Sequence, residues 1–395
     1  MKQLHGMGVQ PTIDPVRRRL VLGVGVVGLS ACANLVPSPA LRCEPVRWLF
    51  AGTDGKGLRA LAFNACDGSL RAAGVVADVA KPRWTVSHPT LPVVYAAVDG
   101  SGSEGQVSAY AANPSSGALT LLNSVATGGG GATHLLLDAA TQTLFVANFG
   151  GGSVASFPVR ADGSLGERVS LIKATGSGPH RRQTSPHAHG VTLSPDGRFV
   201  LVPDLGADRV FIYARDAARH AILPDTSAPP RAFITPPGSG PRRVVFAASG
   251  RFAYVLCELT AEILTLRWDA AAGRLSPVQT TVLSRAGFQG ARSASELLLS
   301  ADGRFLYAGD RGESTLLVYR VDAATGELGL LQRVDSGGEV PWAFTLDSSG
   351  RWLLVANHRS NRIQVFRVDT GTGELGITPH GADSPGPASL GFGLV

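Results

Sequence analysis

The stretch SPHAHGVTLSPDGRFVLVPDLGADRVFIY, Ser185–Tyr213, decides the fold. Its apolar run FVLVPDLG follows the turn SPDG and leads into DRVFIY, which alternates as a half-buried strand does. Asp196-Gly197 has the composition of a tight hairpin turn. The apolar run then recurs as WLFAGTD, PVVYAAVD, TLFVANFG, FAYVLCEL, FLYAGDRG and WLLVANHR. Taken in chain order, the central residues are Phe50, Tyr95, Phe145, Leu201, Tyr254, Tyr307 and Leu354, separated by 45, 50, 56, 53, 53 and 47 residues. Seven units at that spacing indicate a repeat architecture.

Each unit extends in both directions. A second strand follows, as in GSVASFPV, TLLVYRV and RIQVFRV, and then a turn such as ADGSL, DAATGEL or DTGTGEL. Glycine there supplies positive φ, and Asp or Asn caps the turn. A further strand precedes each core run: PRWTVSHP, ATHLLLDA, HAHGVTLS, PRRVVFAA, ASELLLSA and PWAFTLDS. The Phe50 unit lacks it, because Cys43-Glu44-Pro45 stands directly before the core. The missing strand matches GPASLGFGLV at Gly386–Val395. Ends that complete one unit from both directions predict a closed ring, whose sheets leave only short, protected edges. The reading is an all-β, seven-bladed β-propeller over 46–395, its first blade closed by the C-terminal strand. An open solenoid would leave the terminal match unexplained.

Composition agrees. Among 395 residues there are 49 Gly and 25 Pro, and only 17% are charged, which suits short strands and tight turns. The net charge is +6, yet the one dense basic run is Arg17-Arg18-Arg19, so nucleic acid is not an expected partner. Residues 1–45 read as an export signal and linker. The run RRRLVLGVGVVGLSACA joins a basic start to an apolar stretch, Leu20–Leu29, too short for a membrane span. It resembles a twin-arginine signal, and Leu29-Ser30-Ala31-Cys32 resembles a lipobox. Lipidation of Cys32 would give a membrane-anchored lipoprotein; ordinary cleavage at the same place would give a free periplasmic protein. Cys43, Cys66 and Cys257 form no CxxC pair, so no zinc site is expected. An oxidising compartment permits a Cys43–Cys66 bridge, although two unpaired thiols fit equally. The expected state is a monomer.

Antiparallel pairing places the start of each innermost strand beside the end of the next strand. Counting back from the central residues aligns Arg83, Thr133, His189, Arg242, Ser295, Trp342 and Ala388. The facing strand ends carry Asp54, Asp99, Asn148, Asp204, Cys257, Glu258, Asp310, Arg311, Asn357 and His358. Both series should meet at one mouth of the central channel. Convergent polar groups in a concave place are the default site. His134, Asn148, His187, Asp310 and His358 are candidate substrate contacts. His187 and His189 share a face and could bind a metal, but no third ligand is evident, so no metal or cofactor is expected. His187 also reads as a hydrogen-bonder at the rim, and Asp204 and Asp208 as turn and inter-blade anchors.

The motifs RQTSPHAHGVTLSPDGRFVLVPDLGADRV, GPRRVVFAASGRFAYVLCEL, SASELLLSADGRFLYAGDRG and VPWAFTLDSSGRWLLVANHRSNRIQVFRVDTGTGEL resemble the lactonase family of seven-bladed propellers, which includes a bacterial type of 6-phosphogluconolactonase. The resemblance covers nearly all of the chain after residue 46. It implies hydrolysis of a small sugar-type lactone without a cofactor, with His189, Arg242 and Glu258 as the catalytic group and Arg292 as a fourth member. Arg243 stands where the family has His, Cys257 where it has Asn, Trp342 where it has Arg and His358 where it has Gln. In this scheme Glu258 or His189 is the base, Arg242 holds the carbonyl oxygen, and Arg292 positions a carboxylate or hydroxyl. The same electrostatics would suit ring closure of an unsaturated diacid, as in a muconate-type lactonizing cycloisomerase. The rival readings are a non-catalytic exported propeller that binds a partner or ligand on its rim and a metal-dependent lactonase.

Overall fold

Tyr95, Phe145, Tyr254 and Tyr307, four of the repeat centres, are fully buried, and what buries them is a neighbouring sheet. A computed structural model describes residues 46–99 and 104–394. The export segment, Cys32 and Cys43 lie outside the described residues. Cys66 is disulfide-bonded; the predicted pairing with Cys43 falls outside the described residues because Cys43 does. Every regular element among them is a strand, and the strands form seven sheets.

The first sheet runs, from the innermost strand outward, Pro387–Phe392, Arg47–Thr53, Lys56–Phe63 and Leu70–Ala80, so the C-terminal strand closes it as the terminal match predicts. Six further sheets follow in chain order, each beginning with its innermost strand. The second strand of each later blade, such as Val93–Val98 or Phe305–Asp310, is buried at every residue. Such a strand cannot alternate apolar and polar residues because both of its faces are covered. Seven apolar clusters cover them, one at each junction between blades. One joins Leu49 and Ala51 of the first blade to Leu354 and Ala356 of the seventh. Another joins Phe305 and Tyr307 to Leu353 and Val355. Burying a side chain of this size contributes about 1.5–3 kcal/mol.

The repeated turns staple one blade to the next. The Tyr254 hydroxyl donates to the Gly326 carbonyl at 2.9 Å, and the Tyr307 hydroxyl to that of Gly373 at 3.1 Å. Both glycines have positive φ, and a Cβ on Gly326 or Gly373 would stand 2.4 Å from the ring of Phe252 or Phe305. Only glycine satisfies both the turn and the close approach. The ring closes the same way: Trp352 Nε1 donates to the Ala65 carbonyl at 2.9 Å.

Two features depart from the expected regularity. The fourth blade's innermost strand is only Thr192–Leu193, with an isolated bridge from Ala188 to Asp204, so His187 and His189 precede regular strand rather than opening it. Its outer strand is split into Ala221–Ile222 and Ala232–Ile234, both paired to Arg209–Asp216. In the other blades the innermost strand shifts register where it meets the channel mouth. The shift falls between Pro82 and Trp84, Ala132 and His134, Pro241 and Arg243, Ala294 and Leu297, and Pro341 and Ala343. In the closing strand it falls opposite Gly52 and Thr53. A β-bulge puts two residues against one and re-aims the side chains.

Candidate active site

The bulges turn toward a cavity of about 240 Å³. Six of the seven aligned residues line it: Arg83, Thr133, His189, Arg242, Trp342 and Ala388. Ser295 does not, but its carbonyl accepts from Arg242 Nε. Five guanidinium groups line the cavity, those of Arg83, Arg182, Arg242, Arg243 and Arg311, against two carboxylates, Asp99 and Glu258.

Glu258 is the hub. Its position is fixed by the backbone: its N–H donates to the Gly240 carbonyl at 2.8 Å, and its carbonyl accepts from Ala294 of the sixth blade at 3.0 Å. Oε1 accepts from Arg182 at 2.6 Å and Arg311 at 2.9 Å, and Oε2 from Arg242 at 2.7 Å. Burial alone would raise this carboxyl, but Arg311, Arg242 and Arg182 outweigh it and hold it well below the usual range. A carboxylate holding three cations is ionised and a weak proton acceptor.

His189 Nε2 contacts Arg242 Nη1 and lies 3.5 Å from Glu258 Oε2. Phe149 stands edge-on to the ring at 5.2 Å. Burial first, then Arg242, hold the imidazole well below its ordinary value, and Arg243 adds to this against the opposing pull of Glu258. His189 is therefore neutral at pH 7, and its Nε2 lone pair accepts from Arg242. Burial pushes Arg311 down to about 10, so it stays charged at neutral pH. Its guanidinium lies 4.6 Å from the centre of the Trp342 ring, which attracts the cation.

The remaining expected residues divide. His187 donates from Nδ1 to the Phe149 carbonyl at 2.9 Å and stacks on that ring, so it braces the wall. His134 packs on Trp84 with ring centres 4.5 Å apart, and its Nδ1 accepts from Val191 at 3.3 Å; it lines the channel rather than the cavity. His358 packs on Trp342 from outside the cavity lining. Asn148 donates to Ser153 at 3.1 Å, and Asp310 accepts from Gly312 and Ser284; both are buried away from the lining. Arg292 requires correction: it is exposed, ahead of the strand Ala294–Leu299, and does not line the cavity. Arg311 and Arg182 supply the cations expected of it. Asp204 accepts from His187 and Ala207, and Asp208 from Gln183, Gly238 and Gly240, so both anchor loops.

Trp84, Phe149 and Arg182 also line the cavity and were not singled out from the sequence, and Arg243, noted there only as a departure from the family pattern, lines it too. Arg182 comes from an irregular segment with no periodicity. Strict alternation would turn Arg243 away from its neighbour Arg242, and only the bulge brings both in. Among the described residues no group of three or more His, Cys, Asp or Glu side chains is placed to hold a metal ion.

A closed seven-bladed propeller with a polar cavity at its channel mouth is the class that the fold and the site define. Within that class the chain belongs to the lactonase family of seven-bladed β-propellers, whose model matches residues 49–392. It is similar to a periplasmic gluconolactonase of Pseudomonas aeruginosa, with 35% identity, a TM-score of 0.81, and coverage of 89% of this chain and 99% of that one. It is 31% identical to a 6-phosphogluconolactonase of Bacillus subtilis, over 71% of this chain and 78% of the relative. A 6-phosphogluconolactonase of Formosa agariphila is 28% identical over 74% of this chain and 83% of its own length.

Proposed function

We propose that this protein hydrolyses a sugar-type lactone in the cavity at the channel mouth. The observation that carries this reading is the contact of the buried His189 with Arg242, itself paired to Glu258 at 2.7 Å. With Arg242 drawn from His189 Nε2 onto the lactone carbonyl oxygen, that nitrogen takes a proton from water as the water oxygen attacks the lactone carbonyl carbon. Arg242 stabilises the oxyanion that forms on the carbonyl oxygen. The ring C–O bond then breaks, and the imidazolium returns its proton to the departing ring oxygen, leaving a hydroxy acid. An imidazole held low is a modest base but a strong acid once protonated, which suits the second step. Glu258 holds the three arginines, and Arg311 takes the positioning role first assigned to Arg292. The chemistry needs no cofactor.

The names of the relatives support the substrate class, and the excess of guanidinium groups favours a ligand that carries or develops negative charge. The periplasmic relative and the segment Arg17–Cys32 together support export of the propeller, 46–395, either free in the periplasm or anchored through an acyl group on Cys32.

The test is hydrolysis of plain and 6-phosphorylated glucono-lactone by the full chain, with and without a chelator. Turnover above the spontaneous rate, unchanged by chelator, is expected. No turnover of any lactone would overturn the reading, and loss to chelator would make the enzyme metal-dependent.

A further inference from the structure

Behind the cavity lies a second one of about 270 Å³, the central channel itself, lined by innermost-strand residues of all seven blades. Trp84 and Arg243 line both spaces and so stand between them. Arg243 is almost fully buried. Its Nε donates to Glu296 of the adjacent sixth blade at 3.1 and 3.3 Å. Its Nη1 donates to the His189 carbonyl at 2.6 Å and lies 3.4 Å from the Nδ1 of the same ring. Its guanidinium lies 4.5 Å from the centre of the Trp84 ring, whose own neighbour is His134. The approach is close enough that a Cβ on Gly190 would stand 2.9 Å from the Arg242 carbonyl and 3.4 Å from Arg243 Nη1.

We propose that Arg243, braced by Glu296 and Trp84, is a positioning residue that fixes His189 from the channel side and sets its charge. The inference rests on the reading of His189 as the base. Two cations of one strand grip the imidazole from both ends: Arg242 meets Nε2, and Arg243 holds the carbonyl and faces Nδ1. Glu258 faces Nε2 with the opposite sign. Arg182 and Arg311 act on His189 through Glu258, and Glu296 through Arg243. Toward the third blade the ring meets Phe149. His134 of that blade is held low by burial, then by Arg243 and Arg242, and adds no charge at neutral pH. An arginine with two jobs, a backbone grip and a fixed charge, can be dissected by substitution, because lysine keeps the charge and loses the fork.

The experiment is an NMR titration of the His189 imidazole in the full chain, with lactone turnover followed beside it. In Arg243→Gln the imidazole should titrate at higher pH than in the native protein, and the acid limb of kcat/KM should move up with it. In Glu296→Gln, where Arg243 loses its counter-charge, it should titrate no higher than native. In Arg243→Lys it should stay low while kcat falls about 10- to 100-fold through misplacement of the ring, KM changing little. An unmoved imidazole in Arg243→Gln, or an equal upward shift in both Gln variants, would overturn the proposal. The titration needs no substrate, so it stands apart from whether the protein hydrolyses a lactone. If Arg243→Gln fails to fold, a raised imidazole in Arg243→Lys or Glu296→Gln is itself contradictory.

Discussion

Blades four and five lie side by side and supply the two halves of the central contact, but by opposite means. Blade five presents Arg242 and Arg243 from a regular strand, Pro241–Phe246, that departs from its ladder at one bulge. Blade four presents His189 from one isolated bridge, with the His189 N–H on the Pro203 carbonyl and the Leu205 N–H on that of His187, both at 2.9 Å, and side chains add the remaining anchors. Asp204 accepts from the His187 N–H at 2.7 Å and from that of Ala207 at 2.9 Å. Gln183 donates to the Leu205 carbonyl and to Asp208, which in turn accepts from Gly238 and Gly240 of the chain leading into blade five. A ladder fixes a strand but also dictates which way its residues face. Where a ring must point into the mouth at an angle the pleat does not offer, buried carboxylate and amide anchors hold the backbone instead, since its polar groups still need partners.

Two substitutions probe this contrast, the larger effect first. Glu258 anchors the blade-five half by charge. Glu258→Gln leaves Arg242 and Arg311 buried without their counter-ion and should cost about 3–5 kcal/mol in chemical denaturation. A loss below 1 kcal/mol would mean the arginines are compensated elsewhere. Gly206 anchors the blade-four half by absence of a side chain. Its Cβ would stand 1.9 Å from the Ser185 carbonyl oxygen, whereas blade five carries Leu259 at the equivalent position. Gly206→Ala should therefore cost about 1–3 kcal/mol and lower turnover by moving the segment that bears His189. A neutral outcome on both measures would show that this segment is not tightly held.

The ring was legible because the fully buried second strands are continuous apolar runs, and seven of them recur at near-constant spacing. Its closure was legible because one unit is incomplete at one terminus and completed at the other. The mouth was legible as an aligned position, and six of the seven residues at it line the cavity. Hidden from the sequence was everything that breaks the period. Arg243 faces the same way as Arg242 only through a bulge, and Arg182 arrives on a segment with no strand pattern. Arg292 stands two residues before the strand Ala294–Leu299 and was assigned inward; the chain there is exposed, and the cation comes from Arg311 at the end of the neighbouring strand. The proposed base was equally hidden, because the suitability of Glu258 or His189 for that role depends on how many guanidinium groups each one meets.

The most direct measurement is lactone turnover by two arginine variants of one protein, Arg242→Met and Arg292→Ala. The first removes the cation in contact with His189, and its kcat/KM should fall about 10²–10³-fold, as for loss of an oxyanion donor, while the protein stays folded. The second alters an exposed side chain and should turn over at the native rate. A folded Arg242→Met at native turnover, or an inactive Arg292→Ala, would contradict the placement of the hydrolytic centre at His189, Arg242 and Glu258.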